Sequence, residues 1–447
     1  MKLNIKISNT YFNHSIVFLF VFQLIFVVIR TTIIGSHTAQ GIIEILFSLL
    51  PELLIVTIFG IVLANNYKNI KFSLFDIALA IFFLSNVMLG IYLGKDLMMA
   101  AFGFRLTYLP MISYFAIRFN RSNSTSSFSM KWIMDKLSQW YVVAAVISLF
   151  LYFVFSSFEQ DLMAQAAAKN SYYYIRRMGG LFLSPVVWGT FCAIIALYLY
   201  IRYAKSKKIY DLLGLLVLWF CLILSVSRGA IIPFYIGIIA LTILYEWYKP
   251  FLIILISSTL VFVCFNFYEP LAFNLIGFVS SSSIETIDRI SSDEAQNVIA
   301  NEDTADVRGI NNTRAKFWAL SIRSFSKKPA GYGLGKSGHV ANKYKSILKD
   351  AKTASIYSTD GWYLKLINET GIWGGLSYLT ITIMIVISVF RNFKRLNTNV
   401  FFVYCFIVFI LVAIQNFMSN VLDFYSFPLF YWMLIGFLQN FIEEKHD

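Results

Sequence analysis

Apolar segments about 20 residues long recur from one end of the chain to the other, and each is long enough to cross a bilayer as a helix. They predict an all-α integral membrane protein with about twelve transmembrane helices. The composition agrees, because 58% of the 447 residues are hydrophobic and only 14% are charged, too few charges for a soluble surface. The predicted spans are approximately 15–34, 41–64, 73–93, 97–117, 138–156, 181–201, 209–225, 229–247, 250–268, 371–390, 399–416 and 424–442.

Lysine and arginine are distributed unevenly between alternate connections. With a cytoplasmic amino terminus, the inner connections carry 17 basic residues and the short outer connections carry 5. Because basic residues concentrate in cytoplasmic loops, both termini are predicted to be cytoplasmic. The net charge of +13 is therefore mainly a signal of topology, and no nucleic-acid partner is expected.

One outer connection, residues 269–360, is far longer than the others. Its length is typical of a loop with a function of its own. It separates a nine-span region, 1–268, from a three-span region, 361–447. Within it, residues 312–325 predict an amphipathic helix at the membrane interface, and "AGYGLGKSG" (330–338) predicts a flexible turn.

An arginine interrupts the apolar sequence at "SVSRG" (225–229). An arginine at mid-membrane costs on the order of 3 kcal/mol, so Arg228 needs a partner or a purpose. The topology places Arg228 at the outer face of the membrane. There it could equally be an interface residue that caps the turn between two helices. Further arginines lie on or near the same side: Arg105 inside the fourth span, Arg176 and Arg177 before the sixth, and Arg314 in the long loop. Guanidinium groups pair bidentately with phosphate oxygens, so this cluster predicts a diphosphate site.

Four segments resemble the superfamily of O-antigen polymerases and O-antigen ligases. "SVSRG" is similar to its serine-arginine-glycine signature. The other three, each similar to a family segment in the same order along the chain, are "RRMGGLFLSPVVWGTF" (176–191), "RAKFWALSIRSFSKKPAGYGLG" (314–335) and "TDGWYLKLINETGIWGG" (359–375). Where the ligases carry histidine followed by asparagine, this chain has Asp360 and Gly361, and the resemblance therefore favours a Wzy-type polymerase.

The resemblance implies a GT-C-like membrane glycosyltransferase of the bacterial inner membrane with a periplasmic active site. It implies undecaprenyl-diphosphate-linked glycans as donor and acceptor, and it leaves room for a chain-length regulator as a further partner. No cofactor and no metal are expected, since the four histidines are scattered and no Asp-x-Asp motif occurs in the outer loops.

The resemblance also implies roles for individual residues. The residues expected to bind the donor diphosphate are Arg177 and Arg228, with Arg314, Arg105 and Arg176 in support.

Asp360 is the expected base, or orienting group, for the acceptor hydroxyl, and Glu369 is the second candidate. Asp360 equally suits the N-cap of the helix that follows, and Glu369 suits a structural carboxylate paired with Lys365 four residues earlier. The turn containing Gly331, Gly333 and Gly335 is expected to contact sugar or pyrophosphate. A phosphate-loop interpretation of "AGYGLGKS" is rejected, because no buried strand precedes it and the topology places it on the outer side of the membrane, away from ATP.

Two alternatives remain open. One is an O-antigen ligase, which transfers finished polymer to lipid A core. The other is a twelve-span transporter, which should carry charged residues deep in several spans. The spans show mainly Arg30 and Arg105, which favours the enzyme.

Overall fold

The computed structural model describes residues 9–34, 49–120, 126–167, 177–267, 313–338, 341, 361–392, 394, 398–424 and 426–443. These residues are almost entirely helical, and the all-α membrane architecture predicted from the sequence is confirmed. The helices are α1 Asn9–Ile34, α2 Leu50–Asn66, α3 Leu74–Gly94, α4 Leu97–Phe119, α5 Ser126–Val154, α6 Ser156–Ala167, α7 Pro185–Ser206, α8 Ile209–Leu224, α9 Arg228–Tyr245, α10 Tyr248–Phe267, α11 Thr313–Lys327, α12 Trp362–Arg391, α13 Val400–Met418 and α14 Phe427–Glu443.

Each of the twelve predicted spans overlaps one of these helices. Within the described residues, eight helices are long and apolar enough to cross a membrane: α1, α3, α4, α5, α7, α9, α12 and α13. The apolar parts of α2, α8 and α10 are shorter, at 10–17 residues each. In the part of the chain that the structure describes, two helices of more than ten residues lie outside the predicted spans: α6, and the amphipathic helix α11, predicted at 312–325 and observed at Thr313–Lys327.

Contacts between helix ends distinguish two ends of the bundle. On one side, the Met178 amide, before α7, donates to the carbonyl of Leu224 at the end of α8. On the other side, Arg118 at the end of α4 binds Asp76 in the first turn of α3 and Glu443 at the end of α14. The first is called the loop side, because residues 329–338 pack there, and the second is called the terminal side.

Helices α7 and α14 form the centre of the bundle. In α7, 83% of the apolar span is buried inside the protein, and nearly every side chain of α14 is buried as well. A helix that is hydrophobic all round needs partners all round. These two helices are therefore enclosed by the others, and Gln415 near the end of α13 donates to Thr190 of α7.

Helix α12 is broken inside its length. Thr370 and Gly371 leave helical geometry, and Gly371 has φ +68°. The span predicted at 371–390 begins at this break, but the helix itself begins eight residues or more before it, at Trp362. Backbone groups freed inside a membrane need partners, and the segment 329–338 provides them: Ile372 N–H donates to the Pro329 carbonyl (3.1 Å) and Gly333 N–H donates to the Glu369 carbonyl (2.9 Å).

Candidate functional site

The turn between α8 and α9 is tight, and its polar groups form hydrogen bonds with one another. Residues 225–227 connect the two helices, and Val226 takes a left-handed conformation at φ +49°. The Ser225 hydroxyl donates to the Leu222 carbonyl (2.7 Å) and accepts from the Ser227 N–H (3.3 Å). The Ser227 carbonyl accepts from Ala230 N–H and Ile231 N–H. Ser225 thus satisfies backbone groups freed at the break between the two helices.

Arg177 lies against this turn although it is separated from it by 48 positions in the chain. Its Nε donates to the Ser225 carbonyl over 3.1 Å. The neighbouring Met178 N–H donates to the Leu224 carbonyl over 3.0 Å. Arg177 and Arg228 are both half-buried on the loop side. Two of the arginines predicted to bind diphosphate are therefore brought to one turn, here called the arginine turn (Arg177 with residues 225–228).

The end of helix α9 adds a second positive contribution to the arginine turn. Arg228 is the first residue of α9, and its N-cap Ser227 makes no side-chain capping bond. The amino-terminal end of a helix carries a partial positive charge, so a cation in its first turn is unfavourable by about 0.3–1 kcal/mol, whereas an anion is favoured. The chemistry of this turn suits a phosphate group.

The end of α13 lies beside the arginine turn and connects it to two further helices. A Cβ placed on Gly229 would lie 3.5 Å from Cγ of Gln415, near the end of α13. Phe417, two residues later, packs against Tyr363 of α12 and stacks on Trp318 of α11, with ring centroids 4.5 and 6.4 Å apart. The amphipathic helix and the start of α12 therefore border the same surface.

For three predicted site residues, the structure does not describe the side chain. Asp360 and Arg176 are not among the described residues, and the described chain resumes at Gly361. Arg314 falls in helix α11, but its side chain is also outside the described part. Their predicted roles stay predictions.

Arg105 has a partner that the sequence did not suggest. Its Nε lies 2.5 Å from Oε1 of Glu52, in the first turn of α2, and the two side chains are 12% and 9% exposed. Arg105 stands in a π-helical turn, Phe104–Tyr108, just before Pro110. It is therefore engaged in an ion pair within the bundle.

A second charged group is buried on the loop side, around Lys365 of α12. The Lys365 ammonium binds Asp423 and Thr107, and Thr107 in turn donates to Asp423 over 3.0 Å. Glu369 lies 3.8 Å from the same ammonium, so the pairing predicted with Lys365 exists, but Asp423 is the closer partner. These four residues are called the lysine cluster. Asp423 and Thr107 were not predicted from the sequence.

Glu369 has a structural environment. Its side chain is fully buried, and Oε1 accepts from the Gly335 N–H over 3.0 Å. Its own carbonyl accepts from Gly333 N–H. Glu369 thus holds residues 333–335 against the break in α12, an arrangement that favours the structural reading over the role of acceptor base.

The glycine loop, residues 329–338, is packed instead of flexible, and that part of the sequence prediction is wrong. Gly331, Gly333 and Gly335 are buried with φ of +95°, +108° and +78°. A Cβ on Gly333 would lie 2.1 Å from the Cα of Gly94, and one on Gly335 would lie 2.2 Å from the Met99 carbonyl oxygen. Protein atoms therefore cover these glycines, and the structure lends no support to a direct contact with sugar or pyrophosphate.

The same packing argues against phosphate binding by "AGYGLGKS". The amides of Tyr332, Gly333 and Leu334 donate to the carbonyls of Asn368, Glu369 and Gly90. Lys336 pairs with Asp96, 3.2 Å away, at the start of α4. A phosphate loop needs its amides for the phosphate, and here they bind helices.

Comparison with protein families gives one match. Residues 213–379 match a family described as O-Antigen ligase. The matched segment contains Arg228 and the glycine loop, whereas Arg177 and Asp423 lie outside it. The match supports the superfamily of O-antigen ligases and polymerases and does not distinguish the two activities. Among curated proteins, none matches the chain.

Proposed function

We propose that this protein is a membrane glycosyltransferase that polymerises undecaprenyl-diphosphate-linked repeat units at the periplasmic face of the bacterial inner membrane. The observation that carries the proposal is that two arginines meet at the arginine turn. Arg177 donates to the carbonyl of Ser225, and Ser225 precedes Arg228 by three residues. This turn lies at the uncapped amino terminus of a helix and within or beside the segment that matches the family.

The reaction needs charge stabilisation at the leaving group. The acceptor hydroxyl attacks the anomeric carbon of the donor glycan while the bond to the diphosphate oxygen breaks, and the hydroxyl proton passes to a base. The departing diphosphate gains negative charge, which fixed guanidinium groups stabilise without reorganisation. Arg177, tethered at Nε, is oriented in advance for this task.

The remaining proposed roles come from the sequence, and the contacts of Glu369 and Arg105 narrow them. Asp360 is the proposed base for the acceptor hydroxyl, because Glu369 is buried against the glycine loop. Arg314 and Arg176 are proposed as further diphosphate ligands, while Arg105 is paired with Glu52. The loop side is proposed to be periplasmic and both termini cytoplasmic, with a chain-length regulator as an additional partner.

The description of the matching family favours a second candidate, an O-antigen ligase. Analysis of surface glycans after deletion of the gene separates the two. Loss of a polymerase leaves single repeats on lipid A core. Loss of a ligase leaves bare core, with lipid-linked polymer accumulating. A deletion strain with the second pattern would replace the proposed activity.

A transporter is tested by reconstitution. The bundle buries more charge than the sequence predicted: besides Arg105, the side chains of Glu52, Arg118, Lys365 and Glu369 are all nearly inaccessible. These groups are paired, and the break in α12 is filled by the glycine loop instead of lining a cavity. Purified protein in vesicles without an ion gradient should lengthen lipid-linked repeats. Failure to do so, with gradient-driven movement of the lipid instead, would decide for transport.

A further inference from the structure

Helix α6 supplies a buried carboxylate next to the arginine turn. The Glu159 side chain is only 3% exposed, although α6 lies outside the predicted spans. Its Oε1 accepts a hydrogen bond from the Gly179 N–H over 3.1 Å. Gly179 is two residues after Arg177, so this bond fixes the backbone that carries the arginine.

The segment after Arg177 has no room to adjust on its own. Gly180 takes φ +56°, and a Cβ there would lie 2.2 Å from the Trp188 ring. A Cβ on Gly179 would lie 2.6 Å from the Met163 sulfur of α6. Leu162 and Met163 pack with Leu183 in a small apolar cluster of their own. Helix α6 and this segment therefore form one packed unit, with Glu159 as its polar connection.

Packing alone does not account for a carboxylate at this position. Burying a charged group is unfavourable unless it is hydrogen-bonded, and an apolar side chain would fill the same space at lower cost. A carboxylate bound to a backbone N–H is a strong, directional contact. It restrains the segment at Gly179, while the Met178 bond to Leu224 and the Arg177 bond to Ser225 restrain the two residues just before it.

We infer that Glu159 is a positioning residue for the donor site: through the Gly179 N–H it holds Arg177 at the arginine turn, so that the guanidinium meets the lipid diphosphate in a fixed orientation. The inference rests on the proposed function, because it assigns Glu159 a role in binding the same diphosphate. Glu159 itself is not required to touch the substrate.

The test measures binding of undecaprenyl diphosphate to purified full-length protein in lipid nanodiscs. Glu159→Leu should weaken binding about tenfold, within the range of measured couplings between contacting residues. Glu159→Gln keeps an oxygen that accepts from Gly179 N–H and should stay within about twofold of the wild type. Gln160→Ala, the next residue on α6, is the matched control and should bind as the wild type does.

A double-mutant cycle distinguishes positioning from general destabilisation. In an Arg177→Ala background, Glu159→Leu should weaken binding less than about twofold further, because the residue it positions is already gone. An undiminished further loss would overturn the inference, as would wild-type binding by Glu159→Leu. If Glu159→Leu does not fold, Glu159→Gln decides: weakening as large as that of Arg177→Ala contradicts a role through the hydrogen bond alone.

The same measurements separate this inference from the proposed function. Wild-type binding and glycan lengthening by both Arg177→Ala and Arg228→Ala would remove the diphosphate site itself. Weak binding by the arginine variants, together with wild-type binding by Glu159→Leu, would remove only the positioning role.

Discussion

The arginine turn and the lysine cluster lie on the same side of the bundle but keep their charges in different environments. Lys365 and Asp423 are buried, and the lysine's partners are a carboxylate, a hydroxyl and a second carboxylate. Arg177 and Arg228 are half-buried, and Arg177 is held by a neutral backbone carbonyl. The lysine cluster therefore lies inside the protein together with carboxylates, whereas the arginine turn lies where its guanidinium groups are partly exposed.

The difference indicates two uses of basic residues in one membrane protein. A buried ion pair that loses one partner leaves the other charge uncompensated, so the lysine cluster should matter most for folding. A guanidinium has five N–H donors in a planar fork that matches phosphate oxygens, and a bond from Nε to a carbonyl orients that fork. The arginine turn should matter most for binding an anion.

The largest expected effect is on stability, from Lys365→Met. Removing the ammonium leaves Asp423 and Glu369 as buried carboxylates without their cation, which should cost about 3–5 kcal/mol. Thermal unfolding of the purified protein in detergent measures it. Arg391→Met is the matched control, because Arg391 is exposed at the opposite end of the same helix, and its effect should stay below about 1 kcal/mol. Equal stability of the two variants would contradict the folding role assigned to the lysine cluster.

The next effect is on activity, from Arg228→Ala. Loss of one group that stabilises the departing charge should lower glycan lengthening about 100- to 1000-fold. Thermal stability should change by less than about 1 kcal/mol, as for a surface substitution. Arg228→Lys keeps the charge but not the planar fork, so its activity should be intermediate. If Arg228→Ala lost stability and activity in parallel, Arg228 would have a structural role like that of the lysine cluster.

A smaller effect is expected at the glycine loop, which links the lysine cluster to the start of α4. Gly333→Ala places a Cβ against the Gly94 backbone at a positive φ, and should destabilise the protein by about 1–3 kcal/mol. Gly60→Ala is the matched control, since a Cβ there meets no atom within 4 Å and helix propensity favours alanine by about 1 kcal/mol. Tolerance of Gly333→Ala would mean that the loop opens readily.

The smallest effect concerns the ion pair of Asp96 and Lys336 at the loop side. Partial burial raises the pKa of Asp96, but bonds from the Met99 and Met98 amides and from Lys336 outweigh it, so the pKa lies below the usual 3.8. The stabilisation is therefore present above about pH 4 and is lost as pH falls through the lowered value. It should amount to less than about 1 kcal/mol. Asp96→Asn should flatten this part of the stability–pH curve, and an unchanged curve would contradict the assignment.

The helices were predictable because hydrophobicity alone determines where a chain crosses a membrane. All twelve predicted spans fall on helices, and the amphipathic helix lies within two residues of its predicted bounds. That Arg177 lies near the "SVSRG" turn was predictable only in outline, because the predicted topology places both on the outer side of the membrane. Its bond to Ser225 depends on how α7 and α8 pack, which the sequence does not display.

The buried polar contacts were not predictable, because their members are far apart in sequence. Lys365 binds Asp423, 58 positions away, and Arg105 binds Glu52, 53 positions away. The glycine loop was misread as flexible because its composition is that of a solvated turn. Its amides instead bind carbonyls freed by the break in α12, which becomes visible only in three dimensions.

The central claim is that Arg177 and Arg228 bind a lipid diphosphate, and its most direct test compares two lipids on one protein. Binding of undecaprenyl diphosphate and undecaprenyl monophosphate to the purified protein in nanodiscs should show a clear preference for the diphosphate. Arg177→Ala and Arg228→Ala should each lose that preference, while Arg391→Ala, on the terminal side, keeps it. Equal affinity of the wild type for both lipids, or an unchanged preference in the two arginine variants, would contradict the account.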